Sequence, residues 1–140
     1  MICTACRKEL VIVETRGVEL DLCADCHGTW FDADELRQLF RAVDAPSAVL
    51  ELEDELARRP SKPAAGRRLC PRCRGRLREV AVAARPEPIA LDRCPMGDGL
   101  WFDAGELRRL VQTSEFSSGG AAFDRLKEHF QDFLGPKAAP

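Results

Sequence analysis

Apolar and polar residues alternate in two separate parts of the chain, and each part is predicted to form a β-hairpin. The first hairpin pairs residues 10–15, which are rich in β-branched side chains, with residues 18–22, where apolar and polar positions alternate with period two. An Arg-Gly dipeptide between them is typical of a turn. The second hairpin pairs residues 77–84 with 89–92 across the proline-containing turn 85–88. The pattern therefore predicts two small β units of the same kind.

A short amphipathic helix is predicted after each hairpin. Asp32 and Asp103 stand at the N-cap position, and Glu35 and Glu106 follow three residues later, as in a capping box. Apolar side chains then recur at helical spacing. They are Leu36, Leu39, Phe40 and Val43 in the first helix and Leu107, Leu110 and Val111 in the second.

Two further helices are predicted outside the repeated units. Pro46 followed by apolar residues among glutamates indicates a short acidic helix, and the proline-rich stretch 59–66 is expected to be a flexible, basic linker that lets the repeats move independently. After a Ser-Gly break, phenylalanines and leucines at helical spacing predict a C-terminal amphipathic helix over 121–135. Its apolar face is expected to be buried within the protein or in a homodimer, with docking on another protein as the alternative.

The two units are copies of each other. Residues 20–40 and 91–111 agree at 12 of 21 positions, which indicates a duplication. The agreement includes an aromatic pair in each copy, Trp30 with Phe31 and Trp101 with Phe102. These rings are expected to pack between hairpin and helix rather than to stack on nucleic-acid bases.

Each copy carries cysteines with the spacing of a zinc site. In the first copy Cys3 and Cys6 precede Cys23 and Cys26, and the intervening 16 residues lie in the usual window for a four-cysteine site. Units of about 40 residues rarely fold on a hydrophobic core alone, and a metal commonly substitutes for it. Seven cysteines are an odd number, which fits a disulfide framework badly. The cysteines are therefore interpreted as zinc ligands.

The motif Cys-x-x-Cys, hairpin, Cys-x-x-Cys-x-Gly-x-Trp-x-Asp-x-x-Glu-Leu resembles the bacterial zinc-finger family named after the zinc ribbon of transcription factor IIB. The resemblance implies a small metal-stabilised α+β fold, a structural zinc ion and a link to transcription. It makes Cys3, Cys6, Cys23 and Cys26 the ligands of repeat one. The expected domains are zinc ribbon 1 (1–44), a linker (45–69), zinc ribbon 2 (70–113) and the C-terminal helix (121–135).

Repeat two departs from the family pattern at its fourth ligand. Cys70, Cys73 and Cys94 are present, but Gly97 stands where the fourth cysteine would be. Asp98, the next residue, carries a carboxylate, which binds zinc well, and is the preferred fourth ligand. The alternatives are an empty site held by packing, or a ligand from elsewhere such as His129 or another chain. Two zinc ions per chain are expected.

The charge of the chain is unevenly distributed. Its net charge is −2, yet residues 58–85 carry ten basic side chains and one acidic one. This asymmetry points to an anionic partner, and phosphate contacts are the specific hypothesis. The candidate side chains are Arg67, Arg68, Arg72, Arg74, Arg76 and Arg78. Because residues 58–85 contain no aromatic side chain and no helix carries clustered Arg, Asn or Gln, a protein partner is favoured over nucleic acid.

The cysteines have three alternative interpretations. The segment from Cys23 to His27 spells the haem-attachment motif Cys-x-x-Cys-His, but the chain begins without an export signal and is expected to be cytoplasmic, with no membrane span. A dithiol redox pair needs a strand-to-helix context that a hairpin does not supply. A three-ligand zinc at repeat two could activate water, with Asp98 or Glu106 as base. We expect a non-catalytic protein because no substrate-binding domain is evident.

Overall fold

A computed structural model describes residues 1–15, 17–42, 46–83 and 86–112. The chain forms a small α+β fold, as expected. Its strands are β1 (Val11–Thr15), β2 (Val18–Leu22), β3 (Thr29–Asp32), β4 (Ser61–Pro63), β5 (Arg78–Val82), β6 (Ile89–Arg93) and β7 (Gly99–Phe102). Its helices are α1 (Glu35–Ala42), α2 (Pro46–Arg58) and α3 (Glu106–Gln112). The C-terminal helix predicted over 121–135 lies outside the described residues.

Both predicted hairpins are confirmed. Strand β1 pairs antiparallel with β2, with Val13 opposite Leu20, and β5 pairs antiparallel with β6, with Val80 opposite Leu91. The acidic helix predicted from Pro46 is confirmed as α2. None of the helices in the described ranges is both long and apolar enough to cross a bilayer.

The two repeats share one sheet, which the sequence did not predict. Each repeat has a third strand after the turn that carries its later cysteines. These strands, β3 and β7, pair with each other so that Trp30 lies opposite Trp101. The result is a seven-stranded antiparallel sheet with the order β1-β2-β3-β7-β6-β5-β4. The expectation that the repeats move independently is therefore wrong, because a hydrogen-bonded strand pair joins them.

The flexible linker is also a wrong expectation in its central part. Residues Ser61–Pro63 form β4, the edge strand beside β5, with Lys62 opposite Glu79. Pro63 is compatible with this position because an edge strand has one side without ladder hydrogen bonds. The domain boundaries 1–44, 45–69 and 70–113 stay a prediction.

The sheet separates an apolar core beneath the helices from a second core that contains the cysteines. The helices cover one face, where Phe31 and Phe102 meet edge to face with ring centroids 5.5 Å apart. Trp30 and Trp101 lie among the cysteines on the other face. Only the phenylalanines pack between sheet and helix as predicted, because successive residues of a strand point to opposite faces.

Candidate metal centres

The four cysteines of repeat one come together between two tight turns. The turn from Cys3 to Cys6 precedes β1, and the turn from Cys23 to Cys26 follows β2, so that the hairpin brings them side by side. The backbone N–H of Cys6 donates to Cys3 Sγ, and that of Cys26 donates to Cys23 Sγ, each at 3.4 Å. Such N–H···S contacts stabilise negative charge on sulfur.

The sulfur positions of repeat one fit a zinc ion. Cys3 Sγ and Cys26 Sγ lie 3.6 Å apart, and Cys6 Sγ and Cys23 Sγ lie 3.4 Å apart. A tetrahedral zinc with Zn–S distances of about 2.3 Å would hold its sulfurs about 3.8 Å apart. The observed separations are close to that value and far beyond the roughly 2.05 Å of a disulfide.

The second cluster consists of Cys70, Cys73, Cys94 and Asp98. Cys73 Sγ lies 3.6 Å from Cys94 Sγ, and Asp98 Oδ2 lies 3.5 Å from the sulfurs of both Cys70 and Cys94. The carboxylate thus stands where a fourth donor is needed. Three thiolates and one carboxylate form a donor set that zinc accepts.

A shorter turn explains how Asp98 reaches this place. In repeat one the N–H of His27 donates to Cys23 O, whereas in repeat two the N–H of Gly97 already donates to Cys94 O, one residue earlier in the turn. Gly97 has φ 86°, a conformation that glycine adopts without strain. The turn therefore closes at Gly97 and presents Asp98, rather than the residue before it, to the cluster.

Zinc has to displace protons from the thiols of both clusters, because it binds thiolates. Burial raises the pKa of the Cys70 thiol to about 12, and burial likewise raises the pKa of the Cys26 thiol. Hydrogen bonding from Cys73 lowers the pKa of Asp98, which keeps it a carboxylate. Zinc binding to these thiols therefore releases protons and weakens as pH falls.

The sequence profile of the family described as "Transcription factor zinc-finger", with the zinc ribbon of transcription factor IIB as its type, matches residues 2–42 and 69–113. These segments make up more than half of the chain. The chain therefore belongs to this zinc-ribbon family. Members of the family bind zinc, and both clusters of this zinc-ribbon protein could hold it. The family is generally non-catalytic. Comparisons with curated proteins and with solved structures gave no match.

The family motif Gly-x-Trp-x-Asp-x-x-Glu has a clear structural role in both copies. Trp30 Nε1 donates to Asp32 Oδ1 at 2.8 Å, and Trp101 Nε1 donates to Asp103 Oδ1 at the same distance. The backbone N–H of each aspartate donates to the glutamate three residues on, at 2.7 Å. One half of each predicted capping box is formed, while the aspartate side chains hold the tryptophans instead of capping the helices.

Two buried aspartates, Asp21 and Asp92, were missed by the sequence interpretation. Asp92 and Asp103 share Arg68, whose Nη1 donates to them at 2.6 and 2.7 Å. In repeat one, Asp21 lies with Asp32 and Glu35 in a carboxylate group. Their recurrence in both copies of the duplication was the signal that could have identified them.

The six arginines proposed for phosphate contacts lie in different environments. Arg68 forms the ion pairs just described, and Arg72 Nε donates to Asp32 Oδ1 at 2.7 Å across the two repeats. Arg76 donates to the carbonyl oxygens of Ala64 and Gly66, and Arg78 donates to Ser61. For the remaining two, Arg67 and Arg74, the described part of the chain contains no side-chain hydrogen bond or ion pair.

Glu106 is not brought to the second cluster. Its carboxylate accepts the N–H of Asp103, and it is absent from the cysteine and aspartate group. His27 is exposed. The alternative ligand His129 lies outside the described residues.

Replacing Asp98 by alanine is expected to lower the zinc content from two ions per chain to one. Three thiolates would remain, but the fourth donor at 3.5 Å from two of them would be lost. The measurement is zinc per chain by atomic emission after gel filtration. Asp25→Ala is the matched control, because Asp25 is exposed in the corresponding turn of repeat one. A single zinc ion in the wild-type chain would contradict the assignment.

Glu106→Gln is expected to remove a pH dependence of stability. Burial raises the pKa of Glu106 to about 8. A raised pKa in the folded state stabilises the protein at low pH, and this contribution is lost as pH rises from about 4.5 to about 8, by at most about 1.4 kcal/mol per pH unit. Glutamine stays neutral and can still accept the Asp103 N–H. The variant should therefore gain in melting temperature over the wild type between pH 5 and pH 8.

The difference between the two proteins is the quantity to measure, because the thiol titrations of the zinc sites are common to both. Glu35→Gln provides a second point, since burial raises the pKa of Glu35 to about 7 and its gain should level off at lower pH. A constant difference across this range would contradict the burial argument.

Proposed function

We propose that this zinc-ribbon protein is a non-catalytic interaction module that acts as a protein–protein adaptor or regulator linked to transcription. The main support is that most of the candidate arginines form hydrogen bonds within the chain. Four of the six candidate phosphate contacts, Arg68, Arg72, Arg76 and Arg78, donate to acceptors within the chain. A nucleic acid would have to compete with these bonds in order to contact the four arginines.

Exposed apolar side chains on an edge strand support a protein partner. Among the described residues, strand β1 pairs with another strand on one side only, and Val11 and Ile12 are 46 % and 68 % exposed. Unpaired edge strands with apolar side chains are sites where another protein can add a strand or pack. The proposed role therefore places a zinc-stabilised sheet as a rigid frame that presents surfaces to partners.

The test compares binding to nucleic acid with binding to protein. Fluorescence anisotropy with labelled single-stranded and duplex DNA should give dissociation constants weaker than about 100 μM at physiological salt. A protein recovered with the tagged chain from its source cells, then purified, should bind it saturably in calorimetry. Tight, steeply salt-dependent DNA binding that is lost in the Arg67→Ala, Arg74→Ala double variant would overturn the proposal in favour of nucleic acid.

A further inference from the structure

A groove of about 330 Å³ lies at the junction of the two repeats, on the helix side of the sheet. Its apolar floor consists of Phe31, Leu36, Leu56, Ala57 and Leu100. Its size is at the lower end of the range for ligand pockets. It therefore has room for one or two side chains of a bound peptide.

Arg93, at the end of β6, lines this groove. Its Nε is buried without a hydrogen-bond partner among the described residues. Its neighbour across the strand pair is Arg78, so a second guanidinium lies on the same face. A buried donor without an acceptor costs about 1–3 kcal/mol, and like charges opposite each other add to that cost. Arg93 is thus a cationic side chain without an ion-pair partner in the part of the chain that the structure describes.

The duplication makes this arginine conspicuous. The equivalent residue of repeat one is Leu22, which follows the alternating apolar pattern of its strand. In repeat two an apolar position of the same pattern holds Arg93. Packing alone would be served by leucine, so the arginine is better explained by something that it binds.

The acidic side chains near the groove are mostly engaged elsewhere. Glu53 accepts two bonds from Arg37, at 2.6 and 2.9 Å, and Asp32 accepts from Arg72. Asp34 lines the rim and is exposed. Arg93 forms an ion pair with none of them in the described part of the chain.

We propose that the groove binds a segment of a partner protein in which an apolar side chain is followed closely by an Asp or Glu carboxylate. This inference rests on the proposed function. The apolar side chain packs on Phe31, Leu56 and Leu100, and the carboxylate accepts from Arg93 in a charge-assisted hydrogen bond. A free phosphate would satisfy the arginine but would leave the apolar floor uncovered.

The test uses phenylbutyrate and its neutral analogue phenylbutanol as probes of the two halves of the groove. The zinc-loaded full chain is titrated with each and followed by ¹H–¹⁵N NMR. Phenylbutyrate should shift the Arg93 Nε–H and the Leu100 amide with a dissociation constant of about 1–10 mM, as expected for a ligand of this size. Phenylbutanol should bind at least fivefold more weakly.

Arg93→Leu, which introduces the residue that repeat one carries, should abolish the preference for phenylbutyrate while retaining two zinc ions. Arg74→Leu, a change at an arginine outside the groove, should leave it unchanged. If Arg93→Leu loses zinc, Arg93→Gln is used, and loss of zinc in both variants would assign Arg93 to the metal site and overturn the proposal.

Two other results would overturn it. The first is equal binding of both probes. The second is binding of phenylbutyrate only after Phe130 and Phe133 are replaced by alanine in the full chain, which would assign the groove to the chain's own C-terminal residues. The test contains no nucleic acid, so its failure leaves the proposed function standing.

Discussion

Replacing Cys23 by serine is expected to unfold the whole sheet, including repeat two. A structural zinc contributes about 10–16 kcal/mol in small zinc domains, which equals or exceeds the total stability of about 5–15 kcal/mol of a typical protein. The loss of structure in repeat one should spread to repeat two because β3 pairs with β7. In addition, Thr4 Oγ1, in the turn from Cys3 to Cys6, donates to Leu69 O at 2.6 Å. Circular dichroism melts combined with zinc analysis should show no cooperative transition in the variant.

The matched control changes the same turn without changing a ligand. His27 is exposed and has φ 62°, and asparagine tolerates this conformation, so His27→Asn should keep two zinc ions and the wild-type melt. Exhaustive chelation of the wild-type protein should reproduce the Cys23→Ser result. A chelated protein that retains its full cooperative melt would contradict the metal-dependent fold.

The parts of the fold that were predictable from the sequence are those with local signals. The hairpins follow from alternation and turn residues, and the clusters follow from cysteine spacing that fixes which turns must meet. The choice of Asp98 follows from its place directly after Gly97, which occupies the position of the missing cysteine, and from ligand chemistry. The shorter turn at Gly97 that positions it has no such signal, because it depends on one backbone hydrogen bond.

The missing elements have no local signal. Strands β3 and β7 are four residues long, and both contain adjacent aromatic residues because both of their faces are buried. Without an alternating pattern, these segments could not be distinguished from the residues that lead into a helix. Strand β4 contains a proline, which argues against a strand unless its edge position is known. The partners of Arg68 and Arg72 are distant in sequence and exist only after the sheet has formed.

Gly99→Ala is expected to destabilise the protein by about 3 kcal/mol, because the pairing of the two repeats leaves no room for a methyl group there. A Cβ at this position would lie 2.1 Å from the backbone oxygen of Phe31, in the partner strand. A backbone atom in a hydrogen-bonded sheet cannot move aside cheaply, so the β3–β7 pair must separate. Urea unfolding monitored by tryptophan fluorescence reports on the β3–β7 strand pair, since Trp30 and Trp101 lie within it.

Two further alanine variants distinguish a loss of stability caused by disrupting the β3–β7 pair from one caused by replacing any glycine. Gly17→Ala has open space around its Cβ but a φ of 77°, so it should cost only about 1–2 kcal/mol. Gly28→Ala, at the symmetric position of repeat one, places its Cβ 2.2 Å from the buried ring of Trp101 and should approach the effect of Gly99→Ala. Equal unfolding midpoints for Gly99→Ala and Gly17→Ala would mean that the repeats do not pair through β3 and β7.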